Sequence, residues 1–299
     1  MPLCYGLVTK IGIVCNPKKP EAAKLLTDLV GWLRSREIEV RVDEIAATIM
    51  SEKALSCSSE EIRTRSDIII AMGGDGTLLR TARLIGKAST PILGINIGSL
   101  GFLTEIVEEE VYATLEDVVA GSYEIDRRMV LEATLGGSKQ RFSALNDVVI
   151  IMGESGRIVE IALHVSDEYV CTFPADGVIV STPTGSTAYS LAAGGPIVYP
   201  TMDCILVTPI CAHSLGVRPM ILPSSEKIRT EVLSRAEDAR LVVDGQESLR
   251  LKSGVAVEIR KADYFTHLIK PKKKSFFEIL RAKLRWGGRE EDRAPRTQS

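Results

Sequence analysis

Histidine is scarce in this 299-residue chain: His164, His213 and His267 stand far apart, with no metal-ligand spacing, which argues against a structural zinc site. The six cysteines, Cys4, Cys15, Cys57, Cys171, Cys204 and Cys211, include no CxxC pair, and most lie in strand-like stretches. In a chain of this size they read as reduced core residues. No apolar run approaches the length needed to span a bilayer. The opening MPLCYGLVTKIGIVCN lacks a basic region followed by a long apolar core, so it reads as a first strand and not as a signal peptide. A surplus of positive charge is missing too. The 37 Lys+Arg against 39 Asp+Glu leave a net charge of -2, so no global basic field attracts nucleic acid. These absences point to a cytoplasmic protein without a nucleic-acid or membrane partner. No internal repeat is visible. What is present, 45% hydrophobic and 25% charged residues, suffices to bury a full core in one large domain or two ordinary ones.

The first 120 residues alternate strand and helix signals. KIGIVCN (10–16), EVRVD (39–43), DIIIAM (67–72) and PILGIN (91–96) are short apolar or alternating runs. Between them, Leu25, Leu26, Leu29, Val30 and Leu33 recur at helical spacing, SSEEIRTR opens on an N-cap serine, and TLLRTARLIG and EEEVYATLEDVVAG are helical. DIIIAM is apolar throughout, as in a parallel strand covered on both faces. Such alternation implies βαβ units and a mostly parallel sheet. After Tyr123 the rhythm changes to short strand-like runs between Gly, Asp and Ser turns, with GSTAYSLAAGG the one helical-looking interruption. The expected organisation is an α/β domain over 1–125 and a mainly β domain over 126–267, the boundary falling near residues 122–128. A basic helix over 268–289 would dock back onto the first domain, and 290–299 would be a disordered tail. A basic amphipathic membrane anchor is the other reading of that helix, but its apolar stripe of Phe276, Phe277, Leu280 and Leu284 is short.

The most informative stretch is SDIIIAMGGDGTLLRTAR (66–83), in which three glycines surround one aspartate where a buried strand gives way to a helix. Gly73, Gly74 and Gly76 would let phosphates approach backbone amides at a helix start. An aspartate among phosphates is then a paradox. Two like charges about 5 Å apart at an effective dielectric near 20 repel by roughly 3 kcal/mol. Asp75 either caps the helix, is covered by a cation, or takes part in chemistry. The turn is neither a Walker A loop, lacking GK[ST], nor the dinucleotide fingerprint GxGxxG.

GGDGTLL resembles the signature of a kinase superfamily containing NAD kinases, diacylglycerol-type lipid kinases and 6-phosphofructokinases. NIGSLGFLT (96–104) and ADGVIVSTPTGSTAYSLAAGGPIV (175–198) are similar to segments of NAD kinases in particular, and LND (145–147), HSLGVRPMILP (213–223) and VVDGQ (242–246) fall in that family's order. The resemblance spans about residues 10 to 289. It implies a two-domain kinase, an α/β domain joined to a β-rich one with the active site in the cleft. The γ-phosphoryl group of ATP, or polyphosphate in some members, would pass to the 2′-hydroxyl of the adenosine ribose of NAD, giving NADP. Mg²⁺ or another divalent cation and a homodimer or homotetramer are implied as well.

Carried over position by position, the resemblance makes Asp75 the catalytic acceptor and general base for the ribose hydroxyl, with Gly73, Gly74 and Gly76 cradling phosphates. A cation bridging the donor phosphates would then answer the electrostatic objection. Asn146 and Asp147 would hold hydroxyls and base edges of NAD, Asp147 standing where many members have the longer glutamate. Asp176 would bind NAD, in its own subunit or from a neighbouring one. Thr187, Ala188, Tyr189, Ser190, Leu191 and Ala192 would lie along the dinucleotide, Thr187 and Ser190 as hydroxyl partners. Gln246 would contribute an amide, Arg80 and Arg157 phosphate contacts, and Phe102 a ring face for adenine. No protein metal ligand is expected, and His213, preceded by Ala212 where many members have proline, reads as structural. Two other readings compete: a lipid kinase of the diacylglycerol or sphingoid type, and a non-catalytic NAD(P)-sensing module. The first normally carries an acidic partner further along the helix, where this chain has LLRTAR. The second would not need Asp75.

Overall fold

The structure, a computed structural model, describes residues 7–16, 20–98, 100–136, 138–233, 239–270 and 275–286. Chain contacts divide the described residues into two units: those within 1–81, 90–126 and 268–299 form the first, and those within 82–89 and 127–267 the second.

In the first unit, β1 (Lys10–Cys15), α1 (Pro20–Arg34), β2 (Glu39–Val42), α2 (Glu44–Met50), α3 (Ser59–Arg65), β3 (Ile68–Gly73), α4 (Asp75–Ile85), β4 (Ile92–Asn96) and α5 (Val111–Val119) follow one another. The strands pair in parallel in the order β2-β1-β3-β4. Burial explains the pattern of the sequence. Every residue of β3 is buried, and Leu25, Leu26, Leu29, Val30 and Leu33 of α1 all enter the core beside Ile11, Ile13, Ile68 and Ile70. Two local devices frame the helices. Ser58 and Glu61 close a reciprocal capping box on α3, and the Asp43 carboxylate caps α2 by accepting from the Ala46 amide at 2.9 Å. The helix α2 has no counterpart in the sequence reading.

The second unit is built from β5 (Glu124–Leu135), β6 (Arg141–Ala144), β7 (Asp147–Ile151), β8 (Val159–Val165), β9 (Glu168–Ala175), β10 (Gly177–Ser181), α6 (Tyr189–Ala192), β11 (Cys204–Ile210), β12 (Met220–Pro223), β13 (Ile228–Val232), β14 (Ala239–Val243), β15 (Glu247–Leu251) and β16 (Ala256–Lys270). Within it β16, β13, β8 and β9 are neighbours, and a separate six-stranded sheet runs β12-β11-β10-β7-β14-β15. Alternate residues of both sheets face one core: Val148 and Ile150 of β7, Val178 and Val180 of β10, Ile161 and Leu163 of β8, Val257 and Ile259 of β16. The opposite face of the six-stranded sheet carries Val149, Ile179 and Ile210, against which Ala193 packs. The period of two is that of sheet-on-sheet packing.

Three expectations need correction. GSTAYSLAAGG is mostly not α-helix: a 3₁₀ turn covers Thr184–Thr187 and α6 holds only four residues. Residues 268–270 are strand, because β16 runs on until Leu268 pairs with Ile92; the last helix, α7 (Phe276–Leu284), starts only after Ser275, whose hydroxyl accepts from the Glu278 amide. Cys211 is exposed, while Cys15 and Cys204 are buried; the described cysteines are all unpaired. The tail at 290–299 and the KKK run at 272–274 lie outside the described residues. No described helix is long and apolar enough to cross a membrane.

Candidate active site

At the carboxyl ends of the parallel strands, β3 stops at Gly73 and α4 starts at Asp75, with Gly74 between them. The α4 amides of Thr77 and Leu78 donate to the Gly74 carbonyl at 2.9 and 3.3 Å. Asp75 therefore does not cap its own helix. Its carboxylate reaches the 101–104 loop instead. Oδ2 accepts from the Phe102 amide at 2.9 Å, and Oδ1 accepts from the Leu103 amide at 3.0 Å, the Thr104 amide at 3.0 Å and the Thr104 hydroxyl at 3.1 Å. Behind this, the Asn96 side-chain amide donates to the Thr104 hydroxyl at 2.9 Å. Asn96 and Thr104 are buried. The chain Asn96–Thr104–Asp75 thus fixes the carboxylate from β4 through the loop. Gly101 makes the approach possible: a Cβ there would sit 2.1 Å from Asp75 Oδ1. With three donors on Oδ1 and one on Oδ2, remaining acceptor capacity lies on Oδ2.

The glycines differ in kind. Gly73 is closed in, a Cβ there falling 2.3 Å from Thr77 Oγ1, whereas a Cβ on Gly74 would meet nothing within 4 Å. Gly76 is exposed. The helix start is thus open on the side of Gly74 and Gly76, where first-turn amides favour anions. Arg80, expected near phosphate, donates through Nη2 to the Cys15 carbonyl at 2.8 Å and pairs with Asp43 at 3.0 Å. Burial pushes the Asp43 carboxyl up, opposed by the Ala46 amide and Arg80. Phe102 is half-buried with Lys283 Nζ 5.8 Å from its ring centroid.

In the second unit the register explains which residues meet. Asp147, at the start of β7, pairs with Ser181 at the end of β10, and Val148 pairs with Val243 at the end of β14. Three loops, 145–147, 182–188 and 244–246, therefore emerge at one end of three adjacent strands. Asp244 ties two of them together. Its carboxylate accepts the consecutive amides of Leu145 at 2.9 Å, Asn146 at 2.8 Å and Asp147 at 3.1 Å, and its own amide donates to the Asp147 carbonyl at 3.0 Å. Thr182 adds a further clasp: its amide donates to the Asn146 carbonyl at 2.9 Å and its hydroxyl to the Leu145 carbonyl at 2.6 Å. Asp147 is 4% exposed and Asp244 7%. Burial, then the neighbouring Asp244 charge, pushes the Asp147 carboxyl up to about 7. Burial also raises Asp244, against the three amides and Arg83, which lower it. Asp244 is a residue of this loop cluster that the sequence reading did not single out. VVDGQ looked like a hairpin turn, and only the fold reveals what its carboxylate holds.

Among the remaining residues, exposed Gln246 accepts from Arg83 at 2.9 Å. The Thr187 hydroxyl donates to the Thr184 carbonyl at 3.3 Å, the Ala188 amide to the Gly185 carbonyl at 2.9 Å, and Leu191 and Ala192 are partly accessible. Ser190 differs from expectation: it is fully buried, its hydroxyl 2.9 Å from that of Thr208, so that hydroxyl faces inward. Tyr189 is 40% exposed; burial, then Cys211, Asp176 and Asp147, raises its phenol. Asp176 stands before Gly177, at the other end of β10 from Ser181, about 17 Å away for five steps of strand. Exposed Arg157 follows β7 on that far side too. The structure thus groups Asn146, Asp147, Thr187 and Gln246, and separates Asp176 and Arg157 from them. His213 is exposed, its amide on the Pro174 carbonyl at 2.8 Å.

A parallel α/β sheet with a glycine turn at its carboxyl edge, joined in one chain to a β-rich unit with three convergent loops, defines a two-domain nucleotide-binding protein of the phosphotransferase type. Comparison narrows the class. Residues 11–123 match the ATP-NAD kinase N-terminal domain and residues 145–271 the ATP-NAD kinase C-terminal domain. NAD kinases of Syntrophotalea carbinolica and Caldanaerobacter subterraneus are 46% and 42% identical, covering 94% and 92% of this chain and 99% and 98% of theirs. The fold is similar to yeast NADH kinase complexed with NADH (TM-score 0.87, 25% identity, 98% and 90% of the two chains). It is similar also to an Archaeoglobus fulgidus NAD kinase in complex with ATP (0.75, 27%, 93% and 100%). The chain belongs to the NAD kinase family.

Proposed function

We propose that this chain transfers the γ-phosphoryl group of ATP to the 2′-hydroxyl of the adenosine ribose of NAD, with Asp75 as the group that receives the attacking hydroxyl. The observation that carries this reading is the seating of Asp75. Four donors hold its carboxylate in one orientation, leaving acceptor capacity on Oδ2 beside an open helix start. The hydroxyl donates to Asp75 and is aimed at phosphorus; Gly74 and Gly76 admit phosphate to the helix amides. Phosphoryl transfer is loose, so the hydroxyl proton can leave late and a carboxylate suffices as its acceptor. Positioning and charge neutralisation supply most of the rate.

The described residues contain no group of three or more His, Cys, Asp or Glu able to cage a metal. Asp75 is the carboxylate that would stand beside Mg²⁺ brought in with the donor phosphates. When bound, the cation offsets the charge of the transferring phosphoryl group and so removes the repulsion between Asp75 and phosphate. Asn146, Asp147, Thr187, Ala188, Tyr189, Leu191, Ala192 and Gln246 bind the dinucleotide, Ser190 through its backbone, and Phe102 offers its ring. Arg80 and Arg157 serve phosphates, Arg80 with the nitrogens that Asp43 does not use. The distance of Asp176 from Asn146 supports a role toward NAD held by a second copy in a homo-oligomer. We place the protein in the cytoplasm, where free NAD and ATP are available.

The test is NADP formation from NAD, ATP and Mg²⁺ by the purified chain. Production of NADP supports the reading; a lipid kinase or an NAD(P) sensor produces none.

A further inference from the structure

The mechanism above leaves the buried carboxylate of Asp244 without a task. Asp244 occupies the first central position of a tight turn, with φ of 50° followed by 64° at Gly245, closed by the Gln246 amide on the Val243 carbonyl at 2.9 Å. Asp-Gly is a favoured pair for such a hairpin, and a short polar side chain tolerates the left-handed backbone. The turn alone does not require burial. Yet Asp244 reaches across to β7 and accepts three amides in a row, which include those of both residues assigned to the dinucleotide. Loop 145–147 thus takes its shape from a side chain almost one hundred residues away in sequence.

The same reach places a second carboxylate beside Asp147, with both groups out of water. Two carboxylates in such a site do not readily ionise together, and they titrate as a pair. Their surroundings decide how the charge is divided. Asp244 has the three amides, and Arg83 of α4 faces it, while Arg83 is also engaged with Gln246 and Glu247. Asp147 has Asp244 on one side and the neutral phenol of Tyr189 from α6 within electrostatic range. Asp176 and Cys211 act on Tyr189. Burial raises both carboxyls, Asp147 to about 7, while the three amides and Arg83 oppose the rise at Asp244 alone.

We propose that Asp244 is a positioning residue for dinucleotide binding: by accepting three consecutive amides it shapes the Asn146–Asp147 loop, and it sets a second carboxylate beside Asp147. This rests on the reading of Asp147 as an acceptor for ribose hydroxyls. An ionised Asp147 accepts from two hydroxyls, whereas the protonated form spends one oxygen as a donor. Affinity rises as pH climbs through the titration of Asp147, because binding favours the ionised form.

The experiment uses Asp244→Asn, which keeps the turn, since Asn-Gly is favoured there as well. The amide cannot accept from Leu145 with its NH₂ group, so loop order is lost, and the charge beside Asp147 disappears. Two readouts are taken. In ligand-free protein, carboxyl ¹³C NMR of labelled aspartate follows the titration of Asp147, assigned by its absence in Asp147→Asn. In the enzyme, KM for NAD and kcat are measured from pH 6 to 8.5. The expected results are a wild-type Asp147 titration near neutrality that drops by more than one pH unit in Asp244→Asn. At pH 8, KM should rise about tenfold, the factor expected for one orphaned buried amide, with kcat changed less than threefold. The pH dependence of KM should move with the NMR titration. An Asp147 titration unmoved by the variant, or an unchanged KM at pH 8, overturns the proposal. The NMR arm needs no substrate, so it stands even if NADP formation fails, and that failure would count against the proposed activity alone.

Discussion

At the scale of single residues, the paradox of an acid among phosphates resolves into a question of seating. Asp75 is turned from its own helix and held by the amides of Phe102, Leu103 and Thr104. Thr104→Val keeps the amide but removes the hydroxyl and with it the link from Asn96. We expect kcat to fall about tenfold with KM for NAD little changed, and a stability loss of about 1 kcal/mol in urea unfolding. The glycines make a paired test. Gly74→Ala meets no atom within 4 Å, so melting temperature should hold while nucleotide affinity drops. Gly101→Ala would drive its Cβ into Asp75 and should lose both stability and turnover. A Gly74→Ala protein with lowered melting temperature and normal affinity would refute phosphate approach at that turn. GGDG was legible because strand, turn and helix are contiguous. The partners of Asp75 were not, since they lie 27 to 29 residues downstream and only β4 pairing on β3 returns them. For the same reason nothing in VVDGQ betrayed the amides that Asp244 accepts.

Among elements, those with strong periodicity were readable: α1 by its apolar stripe, and β3 and β4 by unbroken burial. The short α2 was not, because its helical turns are fixed by the Asp43 cap rather than by a long stripe. The continuation of β16 past residue 267 was not readable, because Tyr264 and Phe265, in its middle, are both only partly buried and break the alternation. α6 was over-read: small residues and helix formers in GSTAYSLAAGG gave way to packing on the Thr208 hydroxyl and the Val149–Ile179–Ile210 face. The β7–β14 junction also carries a stability signature. Folding raises the Asp147 carboxyl above its ordinary value, to about 7. The fold therefore favours the protonated form, and this contribution is complete at low pH and lost as pH rises through about 7. Urea midpoints should fall between about pH 4 and pH 7 in the wild type and level off above that. Asp147→Asn should flatten that slope; an unchanged slope would mean Asp147 is not titrating there.

For the whole molecule, the division into a parallel α/β unit and a β-rich unit could be read from the change of rhythm after Tyr123. The spread of site residues could not. Asn146 and Asp176 both flank strands of the six-stranded sheet, yet they stand at opposite ends of those strands. If Asp176 serves a neighbouring copy, mixed oligomers of Asp75→Asn and Asp176→Ala subunits should regain activity that each parent lacks. Such oligomers contain one site with both residues intact. Mixtures no more active than their parents would place Asp176 in its own subunit's site or in none.

The most direct measurement compares Asp75→Asn with the wild type, using NADP formation at saturating NAD, ATP and Mg²⁺ beside calorimetric binding of NAD. The account predicts that turnover falls by roughly 10²- to 10⁴-fold while NAD affinity stays within a few-fold, because the amide oxygen keeps the three Oδ1 donors while the NH₂ group at the Oδ2 position cannot accept the hydroxyl proton. Turnover within threefold of the wild type, with NAD still bound, would contradict it and leave Asp75 as a clasp for the 101–104 loop.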